Sequence, residues 1–157
     1  MKKIIIFSVL FSILSATTWH ISTTGSDETG DGSVENPFAT IQNGIDTSVS
    51  GDMVLVAQGI YYENLILEKE IVLASHAIND DLGSGWLNNE NIHVTIISGA
   101  QPVNPNMGSC LIIRNGNVQP VIIGLTFQDG TGTSMKVDNC DKLLRERSGG
   151  AILIYQA

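Results

Sequence analysis

The stretch from Gly51 to Ala74, GDMVLVAQGIYYENLILEKEIVLA, does most to limit what this chain can fold into. It holds three short aliphatic runs, Met53 to Ala57, Leu65 to Leu67 and Ile71 to Ala74, separated by tight polar breaks. Ordinary helices need about ten residues or more, so runs this short, rich in Val, Ile and Leu, read as buried strands. We read them as the first coil of a parallel β-helix on which later coils stack.

Comparable runs recur at Val94 to Ser98, Cys110 to Ile113, Val121 to Phe127 and Ala151 to Tyr155. Leu65–Leu67 aligns with Leu111–Ile113 and with Ile152–Ile154, and Ile71–Leu73 aligns with Val121–Ile123. Such spacing exceeds a bare coil, so loops are inserted between repeats. Several runs are apolar at consecutive positions, which predicts cover on both faces, as in parallel sheets. Trp19 to Thr23 reads as a short opening strand.

One helix is predicted ahead of the first coil. Asn36 suits the N-cap and Pro37 the first helical position. Phe38, Ile41, Ile45 and Val49 form an apolar stripe, and Gly51 ends the helix. Gly44 inside it costs about 1 kcal/mol relative to Ala, so the helix depends on docking. A stack of coils has an open apolar end, and this helix is placed to cover it. At the other end the chain stops at Ala157, just after an apolar strand. That pattern predicts an N-terminal portion of a longer stack, or an open end that meets a partner.

Two insertions carry little strand signal: residues 76–93 and residues 128–150. In this alignment both leave the second sheet, the one holding Ile71–Leu73, and emerge along one side of the stack. Loops aligned on one edge of a solenoid are common binding surfaces.

Residues 1–16 read as a secretory signal peptide: Lys2 and Lys3, an apolar core from Ile4 to Leu14, then Ser15-Ala16. The core is too short to span a membrane, which takes about 20 apolar residues. The mature domain is then 17–157, secreted or held at the cell surface. Net charge is −8, and no Lys or Arg lies between Lys3 and Lys69. A nucleic-acid partner needs clustered bases and is not expected. In an exported chain Cys110 and Cys140 are free to form a disulfide or to stay as two buried thiols; their spacing does not choose between these.

The segments DGSVENPFATIQNGID, GDMVLVAQGIYYENL, VTIISG, VIIGLTFQDG and SGGAILIY resemble bacterial secreted right-handed parallel β-helix proteins of the pectin-lyase-like superfamily. The resemblance runs from about Trp19 to the end. It implies an all-β fold: a right-handed parallel β-helix (solenoid) with an N-terminal capping α-helix, truncated at its C-terminus. It selects no activity, because this superfamily holds lyases, glycoside hydrolases and adhesins alike. The Gly-His-Gly and Arg-Ile-Lys elements of polygalacturonase-like members do not occur here. No catalytic residue carries over.

Candidate contact residues are few. Trp86, between Gly85 and Leu87, is a candidate for stacking on a sugar ring; the structural alternative is packing its loop onto the strands. Lys136, Lys142, Arg145 and Arg147 are candidates for receiving a carboxylated glycan, against ion pairing with Asp138, Asp141 and Glu146. Asp27, Glu28 and Asp31 offer oxygens to calcium but match no full calcium loop, so no cofactor is assigned. His20, His76 and His93 lack metal spacing and read as structural. Asn64 reads as a turn residue or a stacking one.

Two functions follow as expectations. One is a non-catalytic extracellular β-helix module for surface display, adhesion or carbohydrate contact, its partner a polysaccharide or cell-surface glycan. The other is the N-terminal part of a polysaccharide lyase or glycoside hydrolase whose active site lies beyond residue 157.

Overall fold

Branched aliphatic side chains pack well on a pleated surface and lose rotamer freedom in a helix, so short runs of them favour strands. The computed structural model describes residues 15–137 and 144–155, and every aliphatic run named above contributes a strand to it. The residues read as a signal peptide lie outside the described part up to position 14.

The first parallel sheet contains β1 (Thr18–Ile21), β2 (Met53–Val56), β5 (Val72–Ser75) and β9 (Val121–Ile123), in that order. The second contains β3 (Gly59–Tyr62), β6 (Thr95–Ser98) and β10 (Thr126–Gln128). The third contains β4 (Leu65–Leu67), β8 (Leu111–Ile113) and β13 (Ile152–Ile154). A small antiparallel sheet joins β7 (Met107–Gly108), β11 (Gly132–Val137) and β12 (Leu144–Ser148). After β1 the chain visits the three parallel sheets in a fixed order: β2-β3-β4, then β5-β6-β8, then β9-β10-β13. The fold is all-β, mostly strands in parallel sheets with few helices.

Register follows the expected alignment in the third sheet, where Leu65, Leu111 and Ile152 are partners, as are Leu67, Ile113 and Ile154. In the first sheet it is one residue off, since Val72 rather than Ile71 pairs with Val121. Ile71 is buried but sits in the corner before β5, where its carbonyl accepts the Val121 N–H at 3.0 Å. Strand β3 falls where the sequence pattern predicts a polar break. Its Tyr61 is buried while Ile60 and Tyr62 are exposed, an alternation that belongs to a sheet with one solvent face.

The inward rows make the core. Val54 and Leu73 of the first sheet, Tyr61 and Ile97 of the second, and Leu65, Leu67, Leu111 and Ile113 of the third belong to one buried cluster. Each fully buried aliphatic side chain stabilises by about 1.5–3 kcal/mol. Leu55 and Ala74, on the outward row of the first sheet, are buried too, while Val121 on the same row is 48% exposed, so the outer face of that sheet is covered in part. Ile152 and Ile154 continue the inward rows of the third sheet and yet are exposed, because no further strand lies beyond β13 among the described residues.

The two insertions do not leave the same sheet. Residues 76–94 connect β5 of the first sheet to β6 of the second, as short helical turns including His76–Asn79, Trp86–Asn88 and Glu90–Val94. Residues 129–151 connect β10 of the second sheet to β13 of the third, and they are not strand-poor, since they form the β11–β12 hairpin.

The helix ahead of the first coil, α1 (Ile41–Thr47), begins later than Asn36 and Pro37 predict. Thr40 is the N-cap, its side chain accepting the Asn43 N–H. Phe38 instead pairs in parallel with Ile21 and stacks on Trp19, with ring centroids 5.9 Å apart. Val49 lies past the helix and is exposed. Ile41 and Ile45 are buried, and α1 packs on β1, β2 and β4.

The first coil holds α1 at both ends. The Glu63 carboxylate accepts the Ile41 and Gln42 N–H groups at 2.8 and 2.9 Å. Lys69 Nζ donates to the carbonyls of Ile45, Asp46 and Ser48, each at 2.8 Å. A negative group at the N-terminus and a positive one at the C-terminus both complement the helix dipole.

Candidate functional site

Each passage from the second sheet to the third turns a corner, and the corners stack. The first corner is the pair Glu63-Asn64; the second is residues 99–110; the third carries the β11–β12 hairpin. Asn64 Nδ2 donates to the Ser109 carbonyl at 2.8 Å, joining the first corner to the second. Backbone pairing of Met107 and Gly108 with Thr133 and Gly132 joins the second to the third.

Between the first two corners and the start of α1 lies a cleft of about 320 Å³. Tyr62, 54% exposed, stands on one side with Asn64 and Ile66. Gln101, Val103, Asn104 and Met107 of the second corner stand on the other, and Gln42 and Glu63 complete the lining. The lining is apolar and aromatic with several amides.

Most of those polar groups are fixed. Gln42 Nε2 donates to the Ile66 carbonyl and to Asp46 Oδ1, while its Oε1 accepts the Ile66 N–H. Asn104 Oδ1 accepts the Asn106 N–H at 3.0 Å. Burial pushes the Glu63 carboxyl above its ordinary pKa, against the two backbone N–H bonds that favour its charged form. The Gln101 amide makes no hydrogen bond to a described residue.

Three of the five candidate contact residues lie on the β11–β12 hairpin. Lys136 of β11 and Arg145 of β12 are register partners, and Arg147 is opposite Ser134. Their hairpin is tied to β7, whose Met107 lines the cleft. Lys142 lies outside the described residues, as do Asp138, Cys140 and Asp141. Trp86 is 57% exposed but belongs to the insertion that leads into the N-terminal ends of the second sheet's strands, away from the cleft.

The acidic loop has a structural use. Asp27 accepts the Ala39 and Thr40 N–H groups, the Thr40 hydroxyl and the Asn43 amide. Desolvation would raise its pKa, but these bonds outweigh it and hold the carboxyl below its ordinary value. Asp31 accepts the Ser33 N–H. Among the described residues, no group of three or more His, Cys, Asp or Glu is placed to hold a metal ion.

His20 and His76 come together at a groove of about 570 Å³ over the first sheet, with Glu35 on its rim. Burial, and then His76, lower the pKa of His20. Cys110 is buried, its Sγ donating to the Gln128 carbonyl at 3.1 Å, and burial raises its pKa. The pairing with Cys140 lies outside the described residues.

Local sequence pattern gives little sign of the cleft itself. Tyr62 falls between aliphatic runs, in what reads as a polar break, and GAQPVNPNM has no hydrophobic period. The available signal was its position, between strand runs at the same corner as Asn64. No family model, curated protein or solved structure matches this chain. No helix among the described residues is long and apolar enough to cross a membrane.

Proposed function

We propose that this chain is the N-terminal portion of a secreted right-handed parallel β-helix, of the pectin-lyase-like kind, acting as a non-catalytic extracellular module for carbohydrate contact in adhesion or surface display. The fixed visiting order of three parallel sheets supports the solenoid. Crossovers between parallel strands are right-handed in nearly all proteins, which supports the hand. The K-K, apolar-core and S-A pattern of residues 1–16 supports export.

The corner cleft is the observation that carries the function. It is concave, half aromatic and aliphatic, and studded with side-chain amides, which is how protein sites grip the apolar faces and hydroxyls of sugars. Catalysis of glycan cleavage needs an acid and a base, or a base and a metal, at one bond. Among the described residues of the lining Glu63 is the one carboxyl group, and its two oxygens are engaged by α1.

The test is to display the mature chain, residues 17–157, on a glycan array and to assay bound glycans for cleavage. Retention without new reducing ends or unsaturated products is expected. Turnover would contradict the reading, and so would the absence of binding to any glycan.

A further inference from the structure

Resting on the carbohydrate-contact reading, we infer that the corner cleft takes one or two units of an uncharged sugar, a hexose or an N-acetylhexosamine, and rejects uronates and other acidic sugars. Among the described side chains, no Lys or Arg lines the cleft to pair with a carboxylate. The lining does contain Glu63, held against the N-terminus of α1 by two N–H bonds, so an anionic ligand meets a like charge in a partly desolvated space.

What the cleft offers is suited to a neutral ring. Tyr62 projects from the outward row of β3 with 54% of its surface exposed, a face on which the C–H side of a pyranose can lie. The Gln101 amide is exposed and makes no hydrogen bond to a described residue, so both its carbonyl and its NH2 can meet hydroxyls. Asn104 Oδ1 is turned to its own loop by the Asn106 N–H, which leaves the Asn104 NH2 as a donor. Asn64 is oriented by its bond to Ser109, which leaves its Oδ1 as an acceptor. Met107 and the fully exposed Val103 add apolar surface to the lining. Donors and acceptors without formal charge recognise hydroxyls and acetamido groups. The volume, near the lower end of the roughly 300–1,000 Å³ of ligand sites, limits occupancy to a short unit or a chain end.

The experiment uses the mature chain and ligand-observed NMR with two probe sets at matched concentration: neutral oligosaccharides of glucose, galactose and N-acetylglucosamine, and oligogalacturonates. Variants are Tyr62→Ala, Tyr62→Phe, Gln101→Ala and Asn104→Asp. Tyr62 and Gln101 are exposed, so their variants keep the fold, which is checked by circular dichroism. The expected result is saturation transfer to a neutral set, weakened about tenfold or more by Tyr62→Ala, kept by Tyr62→Phe, and reduced by Gln101→Ala and Asn104→Asp. Preference for oligogalacturonates would overturn the inference while leaving a glycan-contact module in place. Neutral binding unchanged in both Tyr62→Ala and Gln101→Ala would also overturn it, placing the sugar elsewhere. Binding of neither set would overturn it, and silence on the glycan array as well would remove the underlying reading.

Discussion

Gln42 acts as a missing strand for Ile66: its Nε2 donates to the Ile66 carbonyl at 3.2 Å and its Oε1 accepts the Ile66 N–H at 2.8 Å. Strand β4 is the edge of the third sheet, and one primary amide on α1 takes up the backbone groups of its central residue. An uncovered edge is a template for pairing with other chains. Here the helix covers it with hydrogen bonds as well as with apolar surface.

Gln42→Ala removes both bonds and leaves the Ile66 N–H and carbonyl without those partners. We expect a loss of about 1–3 kcal/mol, read as a lower urea midpoint at constant m-value. Gln42→Glu places a carboxylate against the Ile66 carbonyl and Asp46, so it should lose more at neutral pH and recover on acidification.

Lys69→Met keeps the aliphatic stem but removes the three bonds to the last carbonyls of α1. Hydrogen bonds from a charged donor make the expected cost about 1–3 kcal/mol by the same measurement. Faster amide exchange confined to α1 and Ser48 would accompany it.

Asp52 accepts the Thr17 N–H at 2.8 Å, the Trp19 indole N–H at 3.0 Å and the Val49 N–H at 3.0 Å. Its burial works to raise the pKa, but these bonds and Lys69 prevail and lower it. A lowered carboxyl pKa contributes stability above the unfolded value, near 3.8, and that contribution is lost as pH falls through the folded value. Glu63 has the opposite sign: its raised pKa means its contribution is complete below about 4.5 and declines as pH rises through its folded value. Stability measured against pH should therefore lose part of its acid limb in Asp52→Asn. Glu63 should titrate above Asp52 by NMR.

Gly124 has φ +66°, and a Cβ there would lie 2.6 Å from Ala77 Cβ and 2.7 Å from Ser75 Oγ. Gly124→Ala combines a left-handed conformation with overpacking at the corner between β9 and β10. The expected cost is about 1–3 kcal/mol in chemical denaturation.

How much of this was legible in the sequence depends on whether the cause is local. Leu65, Leu111 and Ile152 are alignable because each opens a run of three consecutive aliphatic residues, LIL, LII and ILI. Tyr62 is not, because one-sided exposure breaks the run that signals a strand. The start of α1 was misplaced because Asn36 and Pro37 carry a valid local capping pattern that tertiary pairing overrides: Phe38 is taken by His20 and Ile21, and Asn36 Nδ2 turns to Thr29. Gln42, Glu63 and Lys69 were invisible as clamps, since each acts on backbone groups some twenty residues away. The cleft needs two corners stacked on each other, a relation that only the register creates.

The most direct test of the stacked-rung architecture is a methyl–methyl NOE spectrum of the mature chain with labelled Ile and Leu. The account predicts a ladder in parallel register, Leu65 to Leu111 to Ile152 and Leu67 to Ile113 to Ile154. Crossed contacts, Leu65 with Ile113 and Leu67 with Leu111 in preference to these, would show antiparallel pairing and contradict it.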